Sequence, residues 1–150
     1  MSPMLEFGWI LMFASVAYAS WCGSIPERQG AAIIAAWYLA DPSYHAIFGP
    51  PQFRFVDPGH VVMDTAETLA LGYVALRANR MWPLWAAAAE LTALSGHLAL
   101  AINPVGLQRA YYAVTQLTIY PQLAALLLGT LAHRRRLRRT GPYRDWRTTP

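Results

Sequence analysis

The stretch "GHVVMDTAETLALGY", residues 59–73, decides how the whole chain is read. It has the apolar weight of a membrane-crossing helix, yet it carries Asp64 and Glu67 three residues apart near its middle. An acid at the bilayer centre costs roughly 2.5 to 3.5 kcal/mol and a Leu or Val returns about 0.3 to 0.6, so the Val and Leu residues between Val61 and Leu76 recover about half the cost of the two acids. Either the segment is not a span, or its acids face something other than lipid.

Composition favours the second alternative. The 150 residues are 55% hydrophobic and only 13% charged, about half the charged fraction of a soluble domain. A span of about 30 Å at about 1.5 Å per residue takes about 20 residues, so about five apolar segments use roughly 100 positions and leave no room for a separate soluble catalytic domain. Segment one runs from Leu5 to Ser24, before Pro26. Segment two, within "PERQGAAIIAAWYLADPSYHAIFGPP", reaches Phe48 but is interrupted by Asp41-Pro42. A kinked span is expected there, because neighbouring groups can satisfy the carbonyl that proline frees; a short re-entrant segment is the alternative. Asp57 and Pro58 supply the N-cap and first-turn proline of segment three, Gly59 to Arg77. Segment four begins at Met81-Trp82-Pro83 and stops at Asn103-Pro104, and segment five, Arg109 to about Ala132, ends in "HRRRLRR".

The expected fold is all-α: a polytopic membrane helix bundle of about five transmembrane helices, the second kinked at Asp41-Pro42. Residues 1–133 form the bundle and 134–150 an arginine-rich cytoplasmic tail. The end of that tail, "TGPYRDWRTTP", is short and polar enough to be disordered. Ala17-Tyr18-Ala19 satisfies the small-x-small rule of signal cleavage, but "MSPMLE" has no basic residue and carries Glu6, so the first helix is expected to be retained. The single cysteine, Cys22, excludes an intrachain disulfide and a cysteine-pair metal or redox motif, and reads as a small packing residue.

Arginine bias orients the bundle. All twelve basic residues are Arg, and seven lie between Arg134 and Arg147. Short cytoplasmic loops retain such residues, which places the C-terminus inside, Arg77, Arg80 and Arg28 inside, and the N-terminus outside with Arg54 and Arg109. Trp82, Trp85, Tyr111 and Tyr112 fall near span ends, where an aromatic belt belongs.

Three segments carry a polar stripe. His60, Asp64 and Glu67 share one face of segment three, and Glu90 and His97 share one face of segment four. Tyr112, Gln116 and Tyr120 recur at four-residue spacing on segment five, with Thr115 beside them. Counted inward at about 1.5 Å per residue, Asp64 and His97 both lie about 7 to 8 Å deep, Gln116 and Glu67 roughly 10 to 12 Å, and Tyr120 and Glu90 about 16 to 18 Å. The short turn "ANR" makes segments three and four antiparallel neighbours, so Asp64 is expected to pair with His97, with Glu67, Glu90, Gln116 and Tyr120 lining the same interior. Such groups serve either interhelical packing or a functional cavity of proton-relay or cation-site composition. No HExxH, phosphate loop, nucleophile elbow or haem pattern is present, and Glu90 and His97 are too weak a signal to propose a metal; no cofactor is expected. Arg134, Arg135, Arg136, Arg138 and Arg139 follow the last apolar turn so closely that they read as a stop-transfer cluster against anionic headgroups rather than a nucleic-acid site.

Across "RFVDPGHVVMDTAETLALGYVALRANRMWPLWAAAAELTALSGHL" and "IYPQLAALLLGTLAHRRRLRR", with "PERQGA" at the start of segment two, the chain resembles a group of uncharacterised small inner-membrane proteins of alphaproteobacteria. The shared elements here are Arg54-Phe55, Asp64, the arginine turn into Trp82-Pro83-Leu84-Trp85, His97, Tyr120-Pro121 and the terminal arginines. The resemblance implies a multi-pass protein of the bacterial inner membrane and favours Asp64 and His97 over Glu67 and Glu90; it implies no mechanism. The expected function is that of a non-enzymatic accessory or scaffold component, partnered by the bilayer and by other membrane subunits. The alternative is a small transporter or proton- or ion-conducting protein using the Asp/Glu/His cluster.

Overall fold

A computed structural model describes residues 3–51, 53, 55–103 and 108–148. The roles expected of Arg54 and Pro104 lie outside the described residues. Helix α1 spans Pro3–Cys22 and α2 spans Ile25–Phe48. Between them the Glu27 carboxylate reaches back to accept from the Ser24 N–H at 3.0 Å and the Ser24 hydroxyl at 2.7 Å, occupying donors that a helix start leaves free. Pro42 lies inside α2, and the helix continues through it as one 24-residue element. Gly49, at φ 98°, ends α2 in a conformation that side chains with a Cβ resist.

Helix α3 spans Pro58–Arg77. It starts as its sequence dictates: Asp57 accepts from the Gly59 N–H at 2.9 Å, and Pro58 fills the first turn. Burial pushes the Asp57 carboxyl up, but hydrogen bonds from the Tyr44 hydroxyl and the Gly59 N–H outweigh it and hold the group below the usual carboxylate range. Helix α4 spans Trp82–Ile102, α5 spans Gln108–Leu117 and α6 spans Ile119–Thr140. The chain is all-helical among the described residues. Two helical stretches, Trp82–Ile102 and the 33-residue run Gln108–Thr140, are long and apolar enough to cross a membrane.

The helices close on themselves. α1 packs on α2 and α6, α2 on α3, α3 on α4, and α4 on α6, while α5 rides on α4. Small residues let these backbones approach: Ala19, Ala31 and Ala86 are fully buried beside Met12, Ile34, Leu71, Leu123 and Leu126. Trp82, expected in an aromatic belt, is instead a core residue. Its indole sits between Gly30 and Gly129, where an added Cβ would come within 2.2 Å of the ring on either side. Its Nε1–H donates to Glu27 Oε1 at 3.1 Å, so the ring's polar edge is satisfied inside the bundle. Tyr111 is also buried, whereas Trp85 and Tyr112 are exposed.

Residues 141–148, within the segment expected to be disordered, are ordered. After Gly141 the chain folds back along the α3–α4 turn, where the Arg147 N–H donates to the Arg77 carbonyl and the Asn79 N–H to the Asp145 carbonyl, both at 2.8 Å. Ala78 and Trp146 form an isolated antiparallel bridge. The physical reason is Arg80. Its guanidinium is buried, donating from Nε to Glu27 Oε1 at 3.1 Å and from Nη2 to Asp145 Oδ1 at 2.8 Å. A buried cation needs its donors occupied, and Asp145 reaches it only if the tail returns. Tyr143 lies beneath that guanidinium, 4.3 Å from ring centre to Cζ. Burial pushes the Tyr143 hydroxyl above its ordinary value, against Arg80. Arg80 Nη2, which can only donate, lies 3.1 Å from His133 Nδ1, so that nitrogen accepts and the Tyr143 hydroxyl, 2.7 Å away, donates to it.

Candidate functional site

The polar stripes of α3 and α4 meet inside the bundle. His97 Nε2 lies 2.8 Å from Asp64 Oδ2, the pairing expected from matched depth. Trp37 Nε1–H donates to the other Asp64 oxygen at 2.9 Å, and the Tyr111 hydroxyl lies 3.0 Å from His97 Nδ1. In the neutral tautomer with its hydrogen on Nε2, His97 donates to the Asp64 carboxylate and receives the Tyr111 hydroxyl on Nδ1. One hydrogen-bonded chain therefore links α2, α3, α4 and α5.

A second group lies beside it. Asp64, Glu67, Glu90, Thr115, Thr118 and Gln122 surround a cavity of about 10 Å³, the space of about one water molecule. Gln122 Nε2 donates to Glu90 Oε2. Three oxygens, Glu67 Oε1, Glu90 Oε1 and Gln122 Oε1, are buried without a hydrogen-bond partner. Asp64, Glu67, Glu90, His97 and Gln122 are each 4% exposed or less. The arrangement is a closed polar core whose free oxygens can share protons, accept from a water, or hold a small cation.

Two expected members are elsewhere. Gln116 is exposed, and Tyr120 turns toward α1, its ring stacked on Phe7 at 6.4 Å. The inward face of this region is Tyr111, Thr115, Thr118 and Gln122, offset from Tyr112, Gln116 and Tyr120. The side chains that matter follow the 3.6-residue turn through the α5–α6 junction at Thr118, whereas a strict four-residue repeat drifts off the face. The sequence does not mark Gln122 or Trp37 as members of this core. Trp37 sits in an apolar run with nothing local to mark its indole N–H as a ligand for Asp64.

No family model, curated protein or solved structure matches this chain. The functional reading therefore rests on the chemistry of its own residues.

His60 also departs from the stripe assigned to it. It sits in the first turn of α3 and faces the end of α2: His60 Nε2 is 2.9 Å from Asp41 Oδ1 and 3.1 Å from His45 Nε2. Asp41 and His45, four apart, share a face of α2. Their grouping with His60 depends on the α2–α3 connection bringing the two helix ends together, which residue spacing across a loop does not reveal. At the opposite end, Arg135, Arg136, Arg138 and Arg139 are exposed on the last turns of α6. Arg134 is partly buried and donates to Cys22 Sγ at 3.4 Å.

Proposed function

We propose that this chain is a small multi-pass protein of the bacterial inner membrane, of the kind it resembles among alphaproteobacterial proteins. It crosses about five times with its N-terminus outside, and acts as a non-enzymatic accessory or scaffold component. One observation carries the reading: the distribution of polarity is inverted. Phe7, Ile10 and Phe13 on α1, Leu39 and Ile47 on α2, Val62 and Leu69 on α3, Leu91 and Leu98 on α4, and Leu128 on α6 are all more than half exposed. Acids, His97 and Gln122 are inside. Water would penalise every one of those surfaces, whereas hydrocarbon accepts them and forces polar groups to find each other. Exposed arginines after the last apolar turn suit contact with anionic headgroups on the cytoplasmic side.

In this role the Tyr111–His97–Asp64–Trp37 chain fixes how four helices pack. A second reading has its own support. Three unpartnered oxygens around one cavity are the composition of a proton- or cation-carrying site, which favours a small conductor or transporter. Purified protein in liposomes with an internal pH-sensitive dye separates the two. A scaffold leaves proton flux equal to that of empty vesicles. Flux well above that level, abolished by Asp64→Asn or His97→Ala in variants that still fold, would overturn the scaffold reading in favour of conduction.

A further inference from the structure

The end of α2 and the start of α3 hold a group that neither the polar core nor the packing scheme uses. Asp41 Oδ1, His45 Nε2 and His60 Nε2 face one another, with separations of 2.9 Å (His60 to Asp41), 3.1 Å (His45 to His60) and 3.5 Å (His45 to Asp41). We propose that these three residues form a binding site for a first-row divalent metal ion, on the side of the bundle opposite the arginine cluster.

The first argument is tautomeric. His45 Nδ1 lies 2.8 Å from the Gly49 carbonyl oxygen. A carbonyl only accepts, so Nδ1 carries the hydrogen, and neutral His45 must present a lone pair at Nε2. That lone pair points at His60 Nε2 and Asp41, which are an imidazole nitrogen and a carboxylate oxygen. Three donor atoms thus converge on one point, and a hydrogen on His60 Nε2 cannot aim well at both of the others. An ion at the centre engages all three.

Spacing is the second argument. With metal–ligand bonds of about 2.0 to 2.1 Å, neighbouring ligand atoms lie about 3.4 Å apart in a tetrahedron and about 3.0 Å apart in an octahedron. The three separations run from just below the shorter edge to just above the longer one. Two imidazoles and a carboxylate are also the donor set used for zinc and for ferrous iron.

The third argument is support. The Gly49 carbonyl orients His45 as outer groups orient metal-bound histidines, and the turn at Gly49 that aims it needs a positive φ. The imidazoles are largely shielded, at 12% and 13% side-chain exposure, while Asp41 is 33% exposed. Its side leaves an approach for the ion and room for a remaining ligand.

Zn²⁺ and Co²⁺ are the probes, added to chelator-stripped full-length protein in detergent, purified with a histidine-free tag. One equivalent of Zn²⁺ is expected by calorimetry, and Co²⁺ should give visible absorption of a nitrogen/oxygen site. His45→Gln or His60→Gln should weaken Zn²⁺ binding by about 100-fold, and Asp41→Asn by about tenfold or more. Asp64→Asn should leave binding within about twofold. In the unaltered protein, bound Zn²⁺ should also protect His45 and His60 from diethylpyrocarbonate, read by mass spectrometry, so the test does not depend on a variant folding. Absence of a stoichiometric site for either ion overturns the proposal, as does binding that survives the His45→Gln/His60→Gln double substitution or leaves both histidines unprotected.

Discussion

Arg80 shows how much one side chain can organise. It is buried with Glu27, and the same Glu27 oxygen also accepts from the Trp82 indole. Charges taken out of water are stabilising only as a complete set, so removing one partner costs far more than the pair contributes. Arg80→Met should therefore destabilise the protein by about 3 to 5 kcal/mol, because Glu27 is left charged and unpaired. Adding Glu27→Gln, which keeps an acceptor for Trp82 and removes the orphan charge, should recover a large part of that loss. Denaturant titration in detergent micelles, followed by helical circular dichroism, checks both. From sequence Arg80 reads only as a loop arginine marking the cytoplasmic side. Its buried role was illegible because Glu27 lies 53 positions away.

Helix boundaries were the most legible elements. Asp57-Pro58, the proline after Ser24 and the short 78–81 turn act through local geometry, and local geometry is what short-range sequence encodes. The cap on α3 has a pH signature. Its depressed carboxyl pKa means that the folded state binds that proton less readily than the unfolded chain, whose ordinary value is 3.8. The cap's contribution is then fully present above the unfolded value and is lost as pH falls through the lower folded one. Asp57→Ala should cost about 1 kcal/mol, a gap constant from about pH 5 to 8 and closing below about pH 4. Thermal unfolding of both proteins across that range tests it; a gap that widens in acid would contradict the cap. The polar face of α5 and α6 is less legible in the sequence. The inward face runs through Tyr111 and Thr115, one residue before Tyr112 and Gln116, and that offset of about 100° of helix rotation turns Gln116 outward and brings Gln122 in.

For the molecule as a whole, the ring of helices and the returning tail act together. Ending the chain at Thr140 removes Asp145 and Tyr143 from Arg80 and the Arg147 and Asp145 backbone contacts from the α3–α4 turn. Loss of about 2 to 4 kcal/mol of unfolding free energy is expected, since a buried guanidinium loses one of its two carboxylates. Faster amide hydrogen exchange at residues 77–82 in the truncated protein is the measurement; unchanged exchange there would show the tail to be dispensable. Sequence by itself determined that the chain is helical, where its first four helices begin, and that Asp64 should find His97, because capping, periodicity and depth along antiparallel neighbours are one-dimensional quantities; the single fifth segment expected from Arg109 to about Ala132 is instead two helices, α5 and α6, the second running on through the arginines to Thr140. Only the tertiary structure decided that Trp37 and Gln122 complete the polar core, that Glu27 and Arg80 hold the tail, and that Asp41 and His45 meet His60. Those groupings depend on which helix faces are turned together, and the rotation of each helix about its axis is settled by packing among all of them at once.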